Sequence, residues 1–598
     1  MPVAWDVRPL KGCGLSGWAL GLVACWALSV STVAAATSLP LLPGGATPGG
    51  AHPQAGGLPE VLKAAPPPFP IPPVLQRPLG VNQGPRLVVH AFRLEGVHEH
   101  PDVGITRKAL KALITNSLAR HPKGYTIGQM QLLANRITRF YRARGYILAR
   151  AFVPVQTVRQ GIVVLRVIEG ILDRVVPEGN RMYSNHRMKW PFEDQVGHPV
   201  RKSAIDTALL RLSDYPGLTA YGVFRPGPKV GTTELVLKAL QEQRFDAGIS
   251  ADNYGTQYTG QERVHGYVAI NNPTGIGDQL TLSALRTFNP DNGNYGSVSY
   301  VRPLMIPSLL IGGSVSRDSF LVGQQLALLN IVGEADIARI YLREAFVRSI
   351  LFNFNAQLSF TRERGVTRQH DAILSQDDLS VVRATLSFNN IDTRFNGIDQ
   401  GSLTYSQGLP GVMGAMSSQG DALSSRIGGD GQRVGGSFNK VNLSLSRLQH
   451  LTNQQSLLLQ VNGQYSGDLL SSLEQMALGG PDSVRAYPVA EYLMDKGVFA
   501  SAQWNINAPG FANVHAFEGM TWGQILQLSA FYDVAAGRIN DPLLGETQSV
   551  TLRGAGVGVQ LSIPGQLLAN LSVARHLGGE NPSNGRSPQY WFNLSYEF

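Results

Sequence analysis

The spacing of apolar residues predicts two helices early in the chain. The segment TRKALKALITNSLAR places four leucine and isoleucine residues on one helical face. The next helix opens at Thr126 and has Gln129 three residues later, which is the pattern of a capping box. Apolar runs flank the helices, RLVVHAFRLEG before them and YILARAFVPV and GIVVLRVIEG after them. The order strand, helix, helix, strand, strand predicts a small α/β module over residues 85–170.

The same order of elements returns in residues 171–242. A strand ILDRVVPEG, a helix around 191–197 and a helix in RKSAIDTALLRLSDYPG precede the strands TAYGVFRPG and TTELVLKAL. Two copies of one topology in series predict a tandem repeat. Such modules can present strand edges or helix grooves to extended peptides, although two structural spacers would show the same pattern.

From residue 243 to 598 the helical spacing gives way to alternation at every second residue. In SLLLQVNGQYS, residues 456–466, outward apolar positions alternate with a face rich in Gln, Asn and Ser. This pattern favours a membrane β-barrel, because only a closed sheet satisfies its backbone hydrogen bonds within lipid. A soluble sandwich would also alternate. The barrel is favoured because the pattern persists over roughly 350 residues without an intervening helix.

The end of the chain strengthens the barrel prediction. YWFNLSYEF ends on Phe598, with Tyr596, Leu594 and Phe592 at every second position before it. Aromatic residues at strand ends belong at the headgroup level of a membrane. We expect this last strand to carry the signal for barrel assembly.

The first residues predict an export signal over residues 1–36. Arg8 and Lys11 give a weakly basic start, and an apolar run and three alanines follow. A lipoprotein cleavage box at Cys25 is the alternative, although more apolar sequence follows that residue. Because Cys13 and Cys25 are the only cysteines, the exported chain is expected to lack disulfides.

Composition adds a linker and argues against one class of partner. Residues 37–84 are rich in Pro and Gly, as in APPPFPIPPVLQRPLG, and this predicts an extended linker. The formal net charge is +9, but the basic residues are scattered, which argues against nucleic-acid binding. Charged residues are only 16% of the chain, as expected where apolar and polar residues alternate.

Several segments together resemble the two-partner secretion (type Vb) transporters, the haemolysin and filamentous-haemagglutinin exporters. The resemblance lies in YRARGYILARAFVPVQTVRQGIVVLRVIEG at 141–170, in DYPGLTAYGVFRPGPKVGTTELVL of the second module and in DNYGTQYTG at 252–260. It implies α+β periplasmic POTRA domains at 85–170 and 171–242. It also implies a bacterial outer-membrane antiparallel β-barrel of sixteen strands at 243–598.

The resemblance also implies a mechanism and partners. The POTRA pair would capture the N-terminal secretion domain of a large exoprotein, a β-helical adhesin or haemolysin. The unfolded chain would then pass through the barrel beside the family's sixth extracellular loop and fold outside. Outer-membrane lipid and, during biogenesis, the barrel assembly machinery would be further partners. No cofactor and no metal are expected.

The stretch LGGPDSVRAYP resembles the tip of that sixth loop. Its residues are Gly479, Gly480, Val484, Arg485, Ala486 and Tyr487. The family tip has glycine where this chain has Ala486, which removes backbone freedom at one position. The family's barrel-wall motif appears in FYDVAAGR as Phe531, Asp533 and Gly537, with the glycine two residues later than usual.

Strand parity independently places Asp533 inside the barrel. In LQLSAFYDV the apolar set faces outward, so Gln527, Ser529, Phe531 and Asp533 face the lumen. Arginine suits an inner-wall carboxylate because its planar fork bonds a carboxylate with two donors and stays charged. We therefore expect Arg485 to pair with Asp533. Without the resemblance, an exposed loop arginine and an ordinary lumen carboxylate would be the favoured interpretation.

Other functions are less well supported. An assembly factor that inserts other barrels uses the same modules, but such factors generally carry more than two POTRA domains. A passive porin would not need residues 85–242. The sequence has no G-x-S-x-G, H-E-x-x-H or P-loop pattern, so catalysis is not expected. His98, His100 and Asp102 could bind a metal, but a polar turn after the first strand is the favoured interpretation.

Two segments resist assignment. The family typically has an N-terminal helix that plugs the barrel, yet residues 37–84 contain too many Pro and Gly residues for a convincing helix. Either the short PEVLKAA segment serves, or the pore is closed differently. Residues 406–437 predict a long flexible loop, extracellular by position, with no function that the sequence indicates.

Overall fold

A computed structural model describes residues 42–53, 80–290, 293–517 and 519–598. These residues form a short inserted segment, two small α/β modules and a closed β-barrel. Among the helices of these ranges, none has the length and hydrophobicity needed to cross a membrane. The predicted export signal at 1–36 and the PEVLKAA segment lie outside the described residues.

The first module follows the predicted order of elements. Its sheet has the order β1–β3–β2, with β1 parallel to β3. The predicted capping box is present: the Thr126 hydroxyl accepts from the Gln129 backbone N–H at 3.2 Å, and the Gln129 side chain accepts from the Thr126 N–H at 3.1 Å. After a first helical turn α1 (Pro48–Ala51) upstream, the elements are β1 (Ala91–Glu95), α2 (Arg107–Arg120), α3 (Ile127–Arg142), β2 (Arg150–Phe152) and β3 (Ile162–Ile168).

The second module repeats this plan, as predicted. Its sheet has the order β4–β6–β5, with β4 parallel to β6. Fifteen buried residues of this module, many of them Leu, Val and Tyr, form its core together with Ile147 of the first module. The elements are β4 (Ile171–Glu178), α4 (Asn185–Lys189), α5 (Lys202–Ser213), β5 (Leu218–Pro226) and β6 (Thr232–Glu242).

Two predicted elements differ in extent. The helix expected around 191–197 begins at Asn185 instead, because the Ser184 hydroxyl accepts from the Arg187 N–H and starts a helix there. A 3-10 turn, Trp190–Gln195, follows it. The strand expected over YILARAFVPV shortens to Arg150–Phe152, because residues before it form hydrogen-bonded turns, such as that from the Ala149 N–H to the Tyr146 carbonyl at 3.1 Å.

Sixteen antiparallel strands close into a barrel after the second module. The last strand pairs with the first, with Tyr596 opposite Ile249. The strands of the barrel and a small hairpin within it are β7 (Phe245–Asp252), β8 (Glu262–Asn271), β9 (Gln279–Phe288), β10 (Asn294–Leu304), β11 (Ile306–Leu321), β12 (Ile331–Arg348), β13 (Phe352–Gln369), β14 (Ala372–Asp392), β15 (Gly397–Gly408), β16 (Asn439–His450), β17 (Gln455–Tyr465), β18 (Met476–Leu478), β19 (Tyr492–Met494), β20 (Lys496–Asn507), β21 (Leu526–Arg538), β22 (Ser549–Ile563), β23 (Leu567–Gly579) and β24 (Gln589–Glu597). One helical turn, α6 (Trp522–Ile525), precedes β21.

The barrel strands alternate as predicted. Leu459 and Val461 are exposed on the outer face, whereas Gln464 is buried on the inner side. On β21, Tyr532 is 45% exposed and Asp533 is fully buried. The interior face is therefore polar, and a charge buried on it, such as that of Asp533, needs a partner from the wall or from residues inserted into the lumen.

The predicted linker over residues 37–84 needs correction in its described parts. Residues 42–53, called the inserted segment below, are seated against the inside of the barrel, and Gly45, Ala46 and Gly50 are buried. Residues 80–84 belong with the first module, because the Thr126 hydroxyl donates to the Val81 carbonyl at 2.5 Å. Glycine and proline permit this close packing as readily as they permit an extended linker.

The segment 406–437, predicted to be a long flexible loop, is instead held in place by hydrogen bonds. Because β7 leaves the second module, the connections β15–β16 and β17–β20 lie at the far end of the barrel. The first of these, residues 409–438, is called loop 5 here and is packed rather than free. Arg426 donates to Asp495 at 2.9 Å and to the Leu470 carbonyl at 2.8 Å. The Ser425 N–H donates to Asp377 on the barrel wall at 2.9 Å. These long-range bonds fix a segment that its glycine content predicts to be flexible.

Candidate functional site: the loop inside the barrel

The connection between β17 and β20, residues 466–495 and called loop 6 here, folds back into the barrel. It forms the small hairpin β18–β19 and carries the VRAY stretch at its tip. Val484, Ala486 and Tyr487 are buried with side chains of the barrel wall, Phe531, Ala535 and Leu552 among them. The loop therefore has a packed core of its own within the barrel.

Arg485 and Asp533 meet as a two-pronged ion pair. Arg485 Nη2 donates to Asp533 Oδ1 at 2.8 Å, and Nε donates to Oδ2 at 2.8 Å. The Arg485 backbone N–H also donates to Oδ2, at 3.2 Å. The Asp533 side chain is fully buried and that of Arg485 is 15% exposed. The planar fork of arginine suits this geometry, and the backbone bond fixes where along the wall the tip lies.

Three further groups complete the arrangement, which we call the tip site. Ser501 donates to Asp533 Oδ1 at 2.7 Å, and Gln503 accepts from Arg485 Nη1 at 2.7 Å. The Arg485 guanidinium lies over the Phe531 ring, 3.3 Å from its centroid. The guanidinium is thus surrounded by a carboxylate, an amide oxygen and an aromatic face, all of which favour a cation.

Sequence reasoning missed Ser501 and Gln503. Both lie on β20, directly opposite Asp533 and Phe531 in the strand register. Alternation along VFASAQWNIN would have placed them on the inner face. It could not have shown that this strand is the neighbour of β21 in that register. Trp591 was missed too; its indole N–H donates to the Arg485 carbonyl at 2.6 Å.

The structure explains why glycine occupies three positions of the two motifs. Gly479 and Gly480 both have φ of +97°, a region that other residues rarely adopt. A Cβ on Gly537 would lie 2.5 Å from Met494 Cγ, so this glycine makes room for the β18–β19 hairpin despite its unusual spacing. Ala486 is not among the residues with positive φ, so alanine there causes no backbone strain.

The remaining predicted residues lie in two places. The Tyr487 hydroxyl donates to the Glu580 carbonyl at 2.8 Å, which ties the tip to the connection between β23 and β24. The C-terminal set lies on the outer face of β24, exposed away from the lumen and apart from the tip site: Phe592, Leu594, Tyr596 and Phe598.

The inserted segment lies next to loop 6. The Thr256 hydroxyl donates to the Gly45 carbonyl at 2.8 Å, from within the DNYGTQYTG stretch. A Cβ on Gly49 would lie 1.9 Å from the Ser472 carbonyl oxygen of loop 6. His52 approaches Asp318 on the wall, with 3.8 Å between Nδ1 and Oδ2. The segment thus contacts the wall, the first loop and loop 6.

The polar residues HEHPD contact charged side chains within and between the modules. His98 and His100 both approach the buried Glu169, with nitrogen–oxygen distances of 3.4 and 3.2 Å. Asp102 pairs instead with Arg201 of the second module at 2.9 Å. In the part of the chain that the structure describes, no group of three or more His, Cys, Asp or Glu side chains is placed to hold a metal.

Family and fold comparisons agree with this architecture. Residues 231–561 match the family described as haemolysin secretion/activation protein ShlB/FhaC/HecB, and residues 88–170 match a POTRA domain of ShlB type. The heme/hemopexin transporter protein HuxB of Haemophilus influenzae (strain 86-028NP) is 26% identical over 497 residues, covering 81% of this chain and 85% of that protein.

Two solved structures share the fold. CdiB from Escherichia coli superposes with a TM-score of 0.66 at 19% identity, covering 88% of this chain and 94% of that one. BamA from Haemophilus ducreyi lacking POTRA domains 1–3 has a TM-score of 0.50 at 13% identity, covering 85% and 100%. The chain belongs to the ShlB/FhaC/HecB family of haemolysin secretion/activation proteins, two-partner secretion transporters whose barrel spans the outer membrane and whose POTRA region lies in the periplasm.

Proposed function

We propose that the tip site holds loop 6 inside the barrel in the position that export of the partner protein requires. The observation that carries the proposal is the buried, two-pronged pair of Arg485 and Asp533 between a loop and the wall. Both groups use their hydrogen-bonding capacity on each other and on neighbouring protein groups, which supports a structural role for them. Their role is to fix the loop that lines the path of the exported chain.

The energetics support a structural role for both partners. Removing one member of a buried ion pair costs about 3–5 kcal/mol, because the other charge is left without a partner. In Arg485→Ala, Asp533 would keep Ser501 and a backbone N–H as donors but lose its cation. We therefore expect the tip of loop 6 to leave the wall, which exposes the unpaired Asp533 carboxylate to water.

The proposal assigns capture of the partner to the modules. We assign residues 85–170 and 171–242 to the two POTRA domains, residues 243–598 to the barrel and residues 1–36 to the export signal. Strand β2 is an edge strand of the first module's sheet, and β5 is an edge strand of the second module's sheet. Either edge could accept an extended segment of the partner's N-terminal secretion domain. The unfolded partner then passes beside loop 6 and folds at the cell surface.

The partner is proposed to be a large β-helical exoprotein, adhesin or haemolysin, and the chain to have no catalytic activity. The HuxB relative is named a heme/hemopexin transporter protein; a haem-related cargo is one candidate for this chain. The outward aromatic residues of β24 are proposed to contact outer-membrane lipid and to direct barrel assembly.

The test is secretion of the partner. The chain would be co-expressed with the large exoprotein encoded beside it, and that protein measured in the medium and on the cell surface. Arg485→Ala, Asp533→Asn and a deletion of residues 85–242 would be compared at matched outer-membrane levels. Arg586→Ala is the matched control, because Arg586 is exposed in the loop between β23 and β24.

We expect the wild type and Arg586→Ala to export the partner and the other three variants to lose at least tenfold. For the two substitutions, the size follows from an ion pair worth more than about 1.4 kcal/mol, because that free energy corresponds to a factor of ten. Equal export by every variant would contradict the proposal. Partner-independent loss of other outer-membrane proteins when this chain is deleted would favour the assembly-factor alternative.

A further inference from the structure

A second cluster of charges attaches loop 6 to a different part of the barrel wall. Glu474 lies on the limb of loop 6 that precedes β18, and its side chain is 1% exposed. Its carboxylate binds Arg383 on β14 and Lys440 on β16. Lys440 Nζ also donates to the Glu474 carbonyl at 2.8 Å. We call Glu474, Arg383, Lys440 and Glu363 the limb site.

The wall carries an excess of positive charge at the limb site, which the loop reduces. Arg383 Nη2 also donates to Glu363 on β13 at 2.7 Å, and Arg339 of β12 interacts electrostatically with both, so the wall contributes three cations, Arg339, Arg383 and Lys440, and one anion. Glu474 supplies a second negative charge. All four side chains are largely withdrawn from solvent, the most exposed being Arg383 at 19%. Without Glu474 the wall cation Lys440 loses its carboxylate partner, which favours the docked loop.

The loop contributes the opposite charge at the limb site from the one that it contributes at the tip site. At the tip the loop brings the cation, Arg485, to a wall carboxylate. At the limb the loop brings the anion, Glu474, to wall cations. The two sites also use different strands of the barrel, β13, β14 and β16 at the limb and β20 and β21 at the tip.

We propose that Glu474 is a positioning residue for export, and that the two sites of opposite polarity fix both the place and the direction of loop 6 across the lumen. Arg485 fixes the tip of the loop and Glu474 fixes the limb that precedes β18, so together the two sites restrain more of loop 6 than either does alone. Exchanged docking is disfavoured, because Glu474 would meet Asp533 and Arg485 would meet Arg383 and Lys440. The inference extends the proposed function of the tip site and rests on it.

The test combines charge reversal with two readouts. Glu474→Lys and Lys440→Glu would be made singly and together, beside Glu474→Gln and Glu474→Asp. Glu491→Gln is the matched control on the same loop, because Glu491 accepts from the hydroxyl and N–H of Ser583, both at 2.7 Å, and forms no ion pair with the residues that the structure describes. Export of the partner and single-channel conductance of the purified protein in planar bilayers would be measured at equal amounts of folded barrel.

We expect each single reversal to lower export at least tenfold and to raise the mean conductance, because the freed limb no longer fills its side of the lumen. The double reversal restores the balance of charges and should return export to within about threefold of wild type. Glu474→Asp, which keeps the charge on a shorter side chain, should lie between Glu474→Gln and wild type. Glu491→Gln should match wild type in both readouts.

Failure of this inference can be told from failure of the proposed function by including Arg485→Ala. If Arg485→Ala loses export while the Glu474 variants export and conduct as wild type, the limb site has no positioning role and this inference is overturned. If Arg485→Ala and the Glu474 variants all export normally, both proposals are overturned. A double reversal no better than the worse single reversal would also contradict the inference, because charge balance would not be the cause.

Discussion

Ala486 of loop 6 and Gly554 of β22 lie against each other at the tip site. A Cβ on Gly554 would come 2.4 Å from the Ala486 Cβ, whereas its next neighbour, the Arg575 carbonyl oxygen, would be 3.4 Å away. The family's loop tip has glycine where this chain has Ala486. The Ala486 methyl group therefore fits because Gly554 has no side chain, and no unusual backbone conformation is needed.

This contact predicts a clash that a second substitution relieves. Gly554→Ala should lower export, because overpacking of this kind costs about 1–3 kcal/mol and would push the tip away from Asp533. Gly554→Ala combined with Ala486→Gly should recover most of the wild-type level. Secretion of the partner at equal barrel levels measures both.

The control for this prediction is Gly296→Ala on β10, where the nearest atom to the new Cβ is 3.9 Å away. It should export as wild type does. If the double variant exports no better than Gly554→Ala alone, the effect comes from β22 itself and not from the loop tip.

The residues of the tip site differ in how far sequence could predict them. Alternation along β21 places Asp533 inside, and the structure shows it fully buried there. Arg485 follows from the resemblance of the loop motif. Ser501 and Gln503 could not be chosen, because alternation gives the face of a residue but not the register between two strands. The limb site was missed for the same reason, since its residues come from three strands and a loop.

At the scale of elements, the inserted segment is the largest departure from expectation. Its composition predicts a linker, because Pro and Gly weaken a helix. Yet the two glycines of α1 are what permit its close approach: Gly49 lies against the Ser472 carbonyl and Gly50 is buried. The local sequence is suited to tight packing, but only the surrounding barrel provides something to pack against.

Substitution of Gly49 should therefore release the inserted segment. In Gly49→Ala the new Cβ would lie 1.9 Å from a backbone oxygen, which cannot move aside as a flexible side chain could. Overpacking worth about 1–3 kcal/mol would shift the segment toward its released state by roughly 5- to 150-fold. We expect larger single-channel conductance and greater uptake of bulky antibiotics by intact cells.

Gly467→Ala in loop 6 provides the comparison, because no atom lies within 4 Å of the added Cβ. It should leave conductance unchanged. Conductance of Gly49→Ala at the wild-type value would mean that the segment does not obstruct the pore.

At the scale of the whole molecule, sequence predicts the modules better than their attachment to the barrel. The repeated order of elements follows from local periodicity, and the structure has it in both modules. Alternation predicts a two-faced sheet, whereas the number of strands came from the resemblance and closure depends on pairing between β7 and β24, far apart in sequence. Contacts between modules and barrel are long-range in the same way.

One set of these contacts joins the second module to the periplasmic turn between β12 and β13. Arg348, at the end of β12, donates to Asp214 from Nη2 at 2.7 Å and from Nε at 2.9 Å. The Thr207 hydroxyl of α5 donates to the Arg348 carbonyl at 2.9 Å. Nearby, the Asn272 amide donates to the Met182 carbonyl at 2.8 Å. Together these bonds fix the second module against the periplasmic turns, and under the proposed function they would set the direction in which it delivers a captured chain to the lumen.

A reversal of this pair should impair delivery without affecting the barrel. Asp214 is 46% exposed and Arg348 21%, so the pair is worth only about 1 kcal/mol, but like charges in Asp214→Arg would actively separate the module from the turn. We expect export to fall roughly three- to tenfold in Asp214→Arg and in Arg348→Asp, and to recover when both are combined, because the ion pair is then rebuilt in reverse. Conductance should stay at the wild-type value in all three, since the tip and limb sites are untouched. An unchanged export level in both single variants would show that the module's orientation is set elsewhere, and a changed conductance would show that the turn acts on the lumen instead.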